Sequence, residues 1–155
     1  RGLPDISLLE PLAQALKVSV AELLTGEQII NTNRAANMLK SQLYVCPICG
    51  NVFQSMGPAM VSCCGITLPP LEPETPDDAH AATIEHIEDE YYISIDHPMT
   101  KDHYISFIAY CTGSRFESVK LYPEGNAEAR FFGRGRGHGW LYWYCNHHGL
   151  FRQRI

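Results

Sequence analysis

The sequence has no apolar run of membrane-spanning length and no start of the charged-then-apolar kind that directs secretion. It also lacks a basic excess: 12 Lys and Arg stand against 17 Asp and Glu, giving a net charge of −5 and a pI near 5.8. That balance argues against a broad nucleic-acid-binding face within these residues, while the missing spanning run and secretory start leave no membrane partner expected and make the cytoplasm the expected compartment. The secretory context that would turn six cysteines into a disulfide framework is missing as well, so the thiols read first as metal ligands or free groups. What is present is a 45% apolar fraction over 155 residues, enough to bury a core in one medium domain or two small ones.

The thiols and imidazoles are unevenly placed. Cys46, Cys49, Cys63 and Cys64 cluster, Cys111 stands alone on an apolar stretch as a buried thiol, and Cys145 sits beside His147 and His148. Cys46-Pro47-Ile48-Cys49-Gly50 is a C-x-x-C turn, and Cys63-Cys64-Gly65 supplies a second thiol pair. Four thiolates on tight turns form a tetrahedral S4 cage suited to zinc or a single iron, two disulfides being the alternative. Glycine after each pair lets the backbone curl so that its N–H groups face the sulfurs. In Tyr142-Trp143-Tyr144-Cys145-Asn146-His147-His148-Gly149, a thiol and an imidazole three residues apart can reach one metal from a tight turn; His97-Pro98-Met99-Thr100-Lys101-Asp102-His103 offers two more imidazoles.

Local patterns divide the chain. Ser7 with Glu10 predicts a capped helix carrying Leu8, Leu9, Leu12, Ala13 and Leu16, and Ser19 predicts a second over Val20 to Leu24. Residues 27–43 read as a connecting helix, 44–71 as the four-cysteine module, and the proline-rich 72–76 as a stiff linker. Beyond it, Tyr91 to Ile95, Tyr104 to Tyr110, Phe116 to Tyr122, Ala127 to Phe132 and Trp140 to Tyr144 are short β-branched and aromatic runs between turn signals. They predict a mainly β fold, an antiparallel β-sandwich over 77–155. The Arg-Gly run from Gly133 to Gly139 reads as a hairpin loop rather than an RNA contact.

Three stretches resemble known families. Residues 1–26 resemble the last two helices of the lambda-repressor-like helix-turn-helix domain. That resemblance implies a remnant whose scanning and recognition helices would precede Arg1, so that DNA would be contacted only through a missing N-terminal part. "YVCPICGNVFQSMGPAMVSCCGITLPPLEPE" resembles desulforedoxin, a rubredoxin-like module with an Fe(Cys)4 site. "HPMTKDHYI" and "CNHHGLF" resemble superoxide reductase in its desulfoferrodoxin form, where that module precedes an immunoglobulin-like sandwich.

The last resemblance implies a square-pyramidal iron with four equatorial histidines and an axial cysteine. Carried over residue by residue, His97 and His103 match the His-Pro-Met segment, and Cys145 and His148 match the C-N-x-H-G turn; His147 falls at a variable position. The remaining histidine aligns with His80, with His86 as its rival. The implied reaction is one-electron reduction of superoxide to hydrogen peroxide, with an electron donor such as rubredoxin and a homodimer as the implied assembly. The chain departs from the family where a Glu-Lys pair is replaced by Asp78-Ala79, and Lys101 is the available substitute charge. Losing that lysine weakens the attraction of an anion, which keeps an iron-based redox or metal-sensing regulator open as a second reading and a structural zinc protein as a third.

Overall fold

The computed structural model describes residues 5–30, 32, 37–133 and 139–155. It divides into two compact units, residues 1–34 and 35–155. In the first, a 3-10 turn at Ile6–Leu8 runs into α1 (Leu9–Leu16), followed by α2 (Val20–Thr25). The first cap is Asp5, whose carboxylate accepts from the Ser7 amide at 2.8 Å, and not Ser7 as its spacing suggested. The ionised carboxylate two residues earlier is the stronger acceptor and caps the first turn. Ser19 does cap α2, in a capping box with Glu22, and Gly26 closes the helix at φ +71°.

The connecting helix expected over 27–43 does not form among the described residues. Met38–Lys40 makes a single 3-10 turn and β1 (Gln42–Val45) already begins inside the expected helix. Leu43 explains the override: it is buried against the sandwich, and tertiary packing outweighs a weak helical pattern. Residues 31 and 33–36 of that stretch, and 134–138 of the Arg-Gly run, lie outside the described residues.

β1 pairs antiparallel with β2 (Val52–Ser55), and β3 (Val61–Cys63) with β4 (Ile66–Leu68). The following strands are β5 (Ala82–Ile87), β6 (Glu90–Ile95), β7 (Ile105–Cys111), β8 (Phe116–Lys120), β9 (Glu128–Phe132), β10 (Trp140–Cys145) and β11 (Gly149–Arg154). They form a three-stranded sheet, β5-β6-β9, and a four-stranded sheet, β11-β10-β7-β8, every pairing antiparallel. Ile93, Ile95, Ala129 and Phe131 from the first meet Ile108, Tyr110, Leu141 and Trp143 from the second, which makes this the expected sandwich. Each fully buried Ile, Leu or Phe contributes about 1.5–3 kcal/mol.

Strand β7 is buried at all seven positions. Alternation explains why: Ile108 and Tyr110 face the inner core, whereas Phe107, Ala109 and Cys111 face a second cluster with Leu43, Met38, Val45, Val52 and Leu71. The four-cysteine module therefore covers the outer face of the larger sheet. The 72–76 stretch is not a free linker: Glu74 donates its amide to the Leu150 carbonyl at 2.8 Å and accepts from the Arg152 amide at 2.9 Å, which places it along the edge of β11.

Candidate metal centres

Along β10, Leu141, Trp143 and Cys145 alternate inward, so the thiol ends the strand at the rim of the core. Opposite it β7 bulges: Tyr144 pairs with Phe107 but Cys145 with Ile105, leaving Ser106 unopposed. Such a bulge re-aims side chains at a strand end. The chain then turns through Asn146–His148, and Gly149 at φ +91° starts β11, a conformation that side chains rarely adopt.

His148 swings back over that turn, its Nδ1 lying 3.4 Å from Cys145 Sγ. His103 Nε2 and His97 Nε2 approach the same sulfur at 3.2 and 3.5 Å. His80, closing a turn in which its amide donates to the Asp77 carbonyl at 3.1 Å, presents Nε2 to His148 Nδ1 at 3.0 Å. The five donor atoms lie within 4.8 Å of one another. Ring centroids run His80, His97, His103, His148 and back to His80 at 5.1, 4.5, 5.0 and 4.8 Å, a four-membered circuit of imidazoles with the sulfur against three of them.

The donor chemistry fits one transition-metal ion. Bonds of about 2.1 Å to nitrogen and about 2.3 Å to sulfur set neighbouring donors about 3.0–3.1 Å apart, and the closest pairs here are 3.0 and 3.2 Å. Imidazole with thiolate suits iron or another borderline metal, not calcium or magnesium. The far ring nitrogens are occupied too. His97 Nδ1 donates to the Pro98 carbonyl at 2.6 Å and His80 Nδ1 to the Asp77 carboxylate at 2.5 Å, which leaves each Nε2 lone pair free. Burial lowers His97 and His103 from the ordinary histidine value, the Pro98 carbonyl partly opposing it at His97 and the neighbouring imidazoles adding to it at both. The His80 hydrogen bond in turn holds the Asp77 carboxyl below its usual range.

His86, the rival to His80, lies apart from this group. It is exposed on β5, edge-on to Tyr91. His147 is exposed and outside the five, although its ring stacks on His103 at 4.6 Å and 14°. Two supporting residues carried no role in the sequence reading. Asn146 accepts from the Tyr104 amide at 2.9 Å and donates to the Asp102 carbonyl at 2.7 Å, tying the cysteine turn to the His103 loop. Asp77 holds His80; its spacing of three residues from that histidine was the available signal. Ala79 is exposed and Lys101 lies 3.9 Å from Glu124, with both side chains largely in solvent.

The second group is Cys46, Cys49, Cys63 and Cys64, again with donors within 4.8 Å, and all four are free thiols. Cys46 ends just past β1, and the Gly50 amide returns to its carbonyl at 2.9 Å. Cys63 closes β3, while Cys64 and Gly65 take φ +51° and +79° to turn into β4. Two consecutive positive φ values are what the tightest hairpin needs, which is why adjacent cysteines can serve one cage. Cys49 and Cys63 sulfurs are 3.6 Å apart and Cys63 and Cys64 3.9 Å, against about 3.8 Å for thiolates sharing a tetrahedral ion. The Cys49 and Ile48 amides aimed at Cys46 lower its thiol to about 7, whereas the Cys49, Cys46 and Cys63 sulfurs beside Cys64 push it up to about 12. Only a cation reconciles four such sulfurs as thiolates.

Comparison with known proteins gives the family. The profile of the desulfoferrodoxin family matches residues 74–154. A desulfoferrodoxin homolog of Archaeoglobus fulgidus is 30% identical over 122 residues, covering 72% of this chain and 94% of its own length. A desulfoferrodoxin of Syntrophotalea carbinolica is 31% identical over 119 residues, covering 72% and 94%. The superoxide reductase of Treponema pallidum shares the fold at TM-score 0.65 and 23% identity, over 73% of this chain and 97% of that one. With two donor clusters on this sandwich and relatives matched over nearly their whole length, the chain belongs to the desulfoferrodoxin family, whose catalytic cofactor is non-haem iron.

Proposed function

We propose that the chain is a superoxide reductase whose iron is held by His80, His97, His103, His148 and Cys145, with iron or zinc on Cys46, Cys49, Cys63 and Cys64. The observation that carries this reading is the convergence of four imidazoles and one thiol within 4.8 Å in a chain of this family. Iron bound there supplies the single electron by which superoxide, taking up two protons, becomes hydrogen peroxide. The protein's residues do the rest.

Four neutral imidazoles add no negative charge, so the centre keeps a cationic character attractive to a small anion. Cys145 is fully buried; as a thiolate it would be the one anionic donor and would supply electron density to a metal held there. His148 is exposed and His103 half-buried, so substrate and solvent protons reach the group from that side. The Pro98 carbonyl and the Asp77 carboxylate keep His97 and His80 in the tautomer with a free Nε2. An electron donor such as a rubredoxin would complete the cycle, and a homodimer is the assembly that the family resemblance implies.

A redox- or metal-sensing regulator with weak reductase activity is the second reading. It is favoured by Ala79 at the family's lysine position, by Lys101 lying beside Glu124, and by the resemblance of residues 1–26 to a DNA-binding domain. Stopped-flow mixing of the reduced, iron-loaded protein with superoxide separates the two. The reductase reading expects second-order oxidation of the centre well above the spontaneous rate, and oxidation no faster than that rate would leave the sensor.

A further inference from the structure

Among the described residues, one carboxylate is hydrogen-bonded to a ring of the histidine circuit. Asp77 and His80 are joined twice: the His80 amide donates to the Asp77 carbonyl at 3.1 Å, and His80 Nδ1 meets Asp77 Oδ1 at 2.5 Å. The two bonds close one turn, which sets the carboxylate beside the ring. The other rings are held differently. His97 Nδ1 has only the neutral Pro98 carbonyl at 2.6 Å, and His148 turns its own Nδ1 toward the cluster.

His80 is also clamped in its plane. Phe151 stacks on it at 4.4 Å and 21°, and the side chain is 5% exposed. Within that slot the ring has two orientations related by a half-turn. In one, Nε2 faces His148 and Nδ1–H faces Asp77; in the other, Cε1–H would point into the donors and Cδ2–H toward the carboxylate. The Asp77 side chain is 66% exposed, so its charge stays solvated and can be ionised there at little cost.

We infer that Asp77 is a positioning residue for the histidine–thiolate metal centre: its carboxylate selects the His80 rotamer and tautomer that offer Nε2 to the metal, and places a negative charge behind that ligand. The inference rests on the metal-binding part of the proposed function. Carboxylate partners of metal-bound histidine raise ligand basicity, and their loss typically costs about 10- to 100-fold in metal affinity. Solvent screening of Asp77 places this case near the lower end.

The test is anaerobic titration of the metal-free full chain with Fe(II), and separately with Co(II), against a competing chelator, for wild type, Asp77→Asn, Asp77→Ala and the charge control Asp89→Asn. The reduction potential of the iron-loaded centre is measured on the same four proteins. The four-cysteine site in each sample reports whether the variant is folded. Asp77→Ala should bind metal at the histidine–thiolate site about tenfold more weakly, with the four-cysteine site unchanged. Asp77→Asn keeps an oxygen that accepts from Nδ1–H, so it should retain most of the affinity yet raise the potential as Asp77→Ala does. Asp89→Asn should match wild type in both. Wild-type affinity and potential in Asp77→Ala would overturn the inference. Asp77-dependent metal binding without reaction with superoxide would keep it and overturn only the reductase reading.

Discussion

His80 Nε2 and His148 Nδ1, from opposite ends of the sandwich sequence, face each other at 3.0 Å. Two ring nitrogens at that distance share either one proton or one cation. With His80 Nδ1 already bonded to Asp77, only the second choice lets both lone pairs serve at once.

Metal removal is therefore expected to loosen the fold. A ligand present at a hundredfold its dissociation constant stabilises the native state by about 2.7 kcal/mol. Chelated protein should melt lower than iron-loaded protein, and scanning calorimetry at rising Fe(II) should show a transition that climbs with concentration. A melting point indifferent to metal would count against both sites.

Acid should weaken the metal-free protein earlier than carboxylate protonation alone predicts. His97 and His103 are held below the ordinary value of 6.5, so the unfolded chain takes up protons that the folded chain refuses. Stability from this source is full above 6.5 and is lost as pH falls through that value toward the depressed ones. Melting of the metal-free chain across pH 7.5 to 5 should show the loss, and His97→Gln should reduce it. Iron affinity should fall over the same range, because protons and metal compete for the same nitrogens.

Asn146→Ala removes the two bonds that tie the Cys145 turn to the His103 loop. Both bonds are exposed, so the cost in global stability should be about 1 kcal/mol. The larger effect should be on metal affinity at the histidine–thiolate site, with the four-cysteine site unaffected; paired chelator titrations of the two sites check this.

Ala79→Lys restores a cation beside His80. Local positive potential speeds anion capture by tenfold or more in favourable clefts, and the exposed position of Ala79 sets the expectation at about three- to tenfold. Stopped-flow rates with superoxide should rise and become more sensitive to salt. An unchanged rate would mean that electrostatic steering is not the step Ala79 limits.

The chemistry was legible in the sequence because ligands come as short motifs. Cys46-x-x-Cys49, Cys63-Cys64, His97 to His103 and Cys145 to His148 each place two donors close in sequence, while their convergence on one site depends on the fold. His80 was less legible, since its place depends on the Asp77 turn and on Phe151 from the far end of the chain. Strands β6 to β10 followed their β-branched and aromatic runs. β5 was missed because Ala82–Ile87 is mostly exposed with acidic and polar neighbours, and β11 because Gly149–Arg154 mixes two buried residues with charged ones. The helix expected over 27–43 failed for the opposite reason: Leu43 found a partner in β7 that a local pattern cannot reveal.

The account turns on Cys145 and the four imidazoles sharing one iron. The absorption spectrum of the oxidised, iron-loaded protein, recorded for wild type and Cys145→Ser, tests that most directly. Wild type should show a thiolate-to-iron(III) band that disappears in Cys145→Ser, while any ferric bands of the four-cysteine site persist. A spectrum unchanged by the substitution would contradict the shared iron centre.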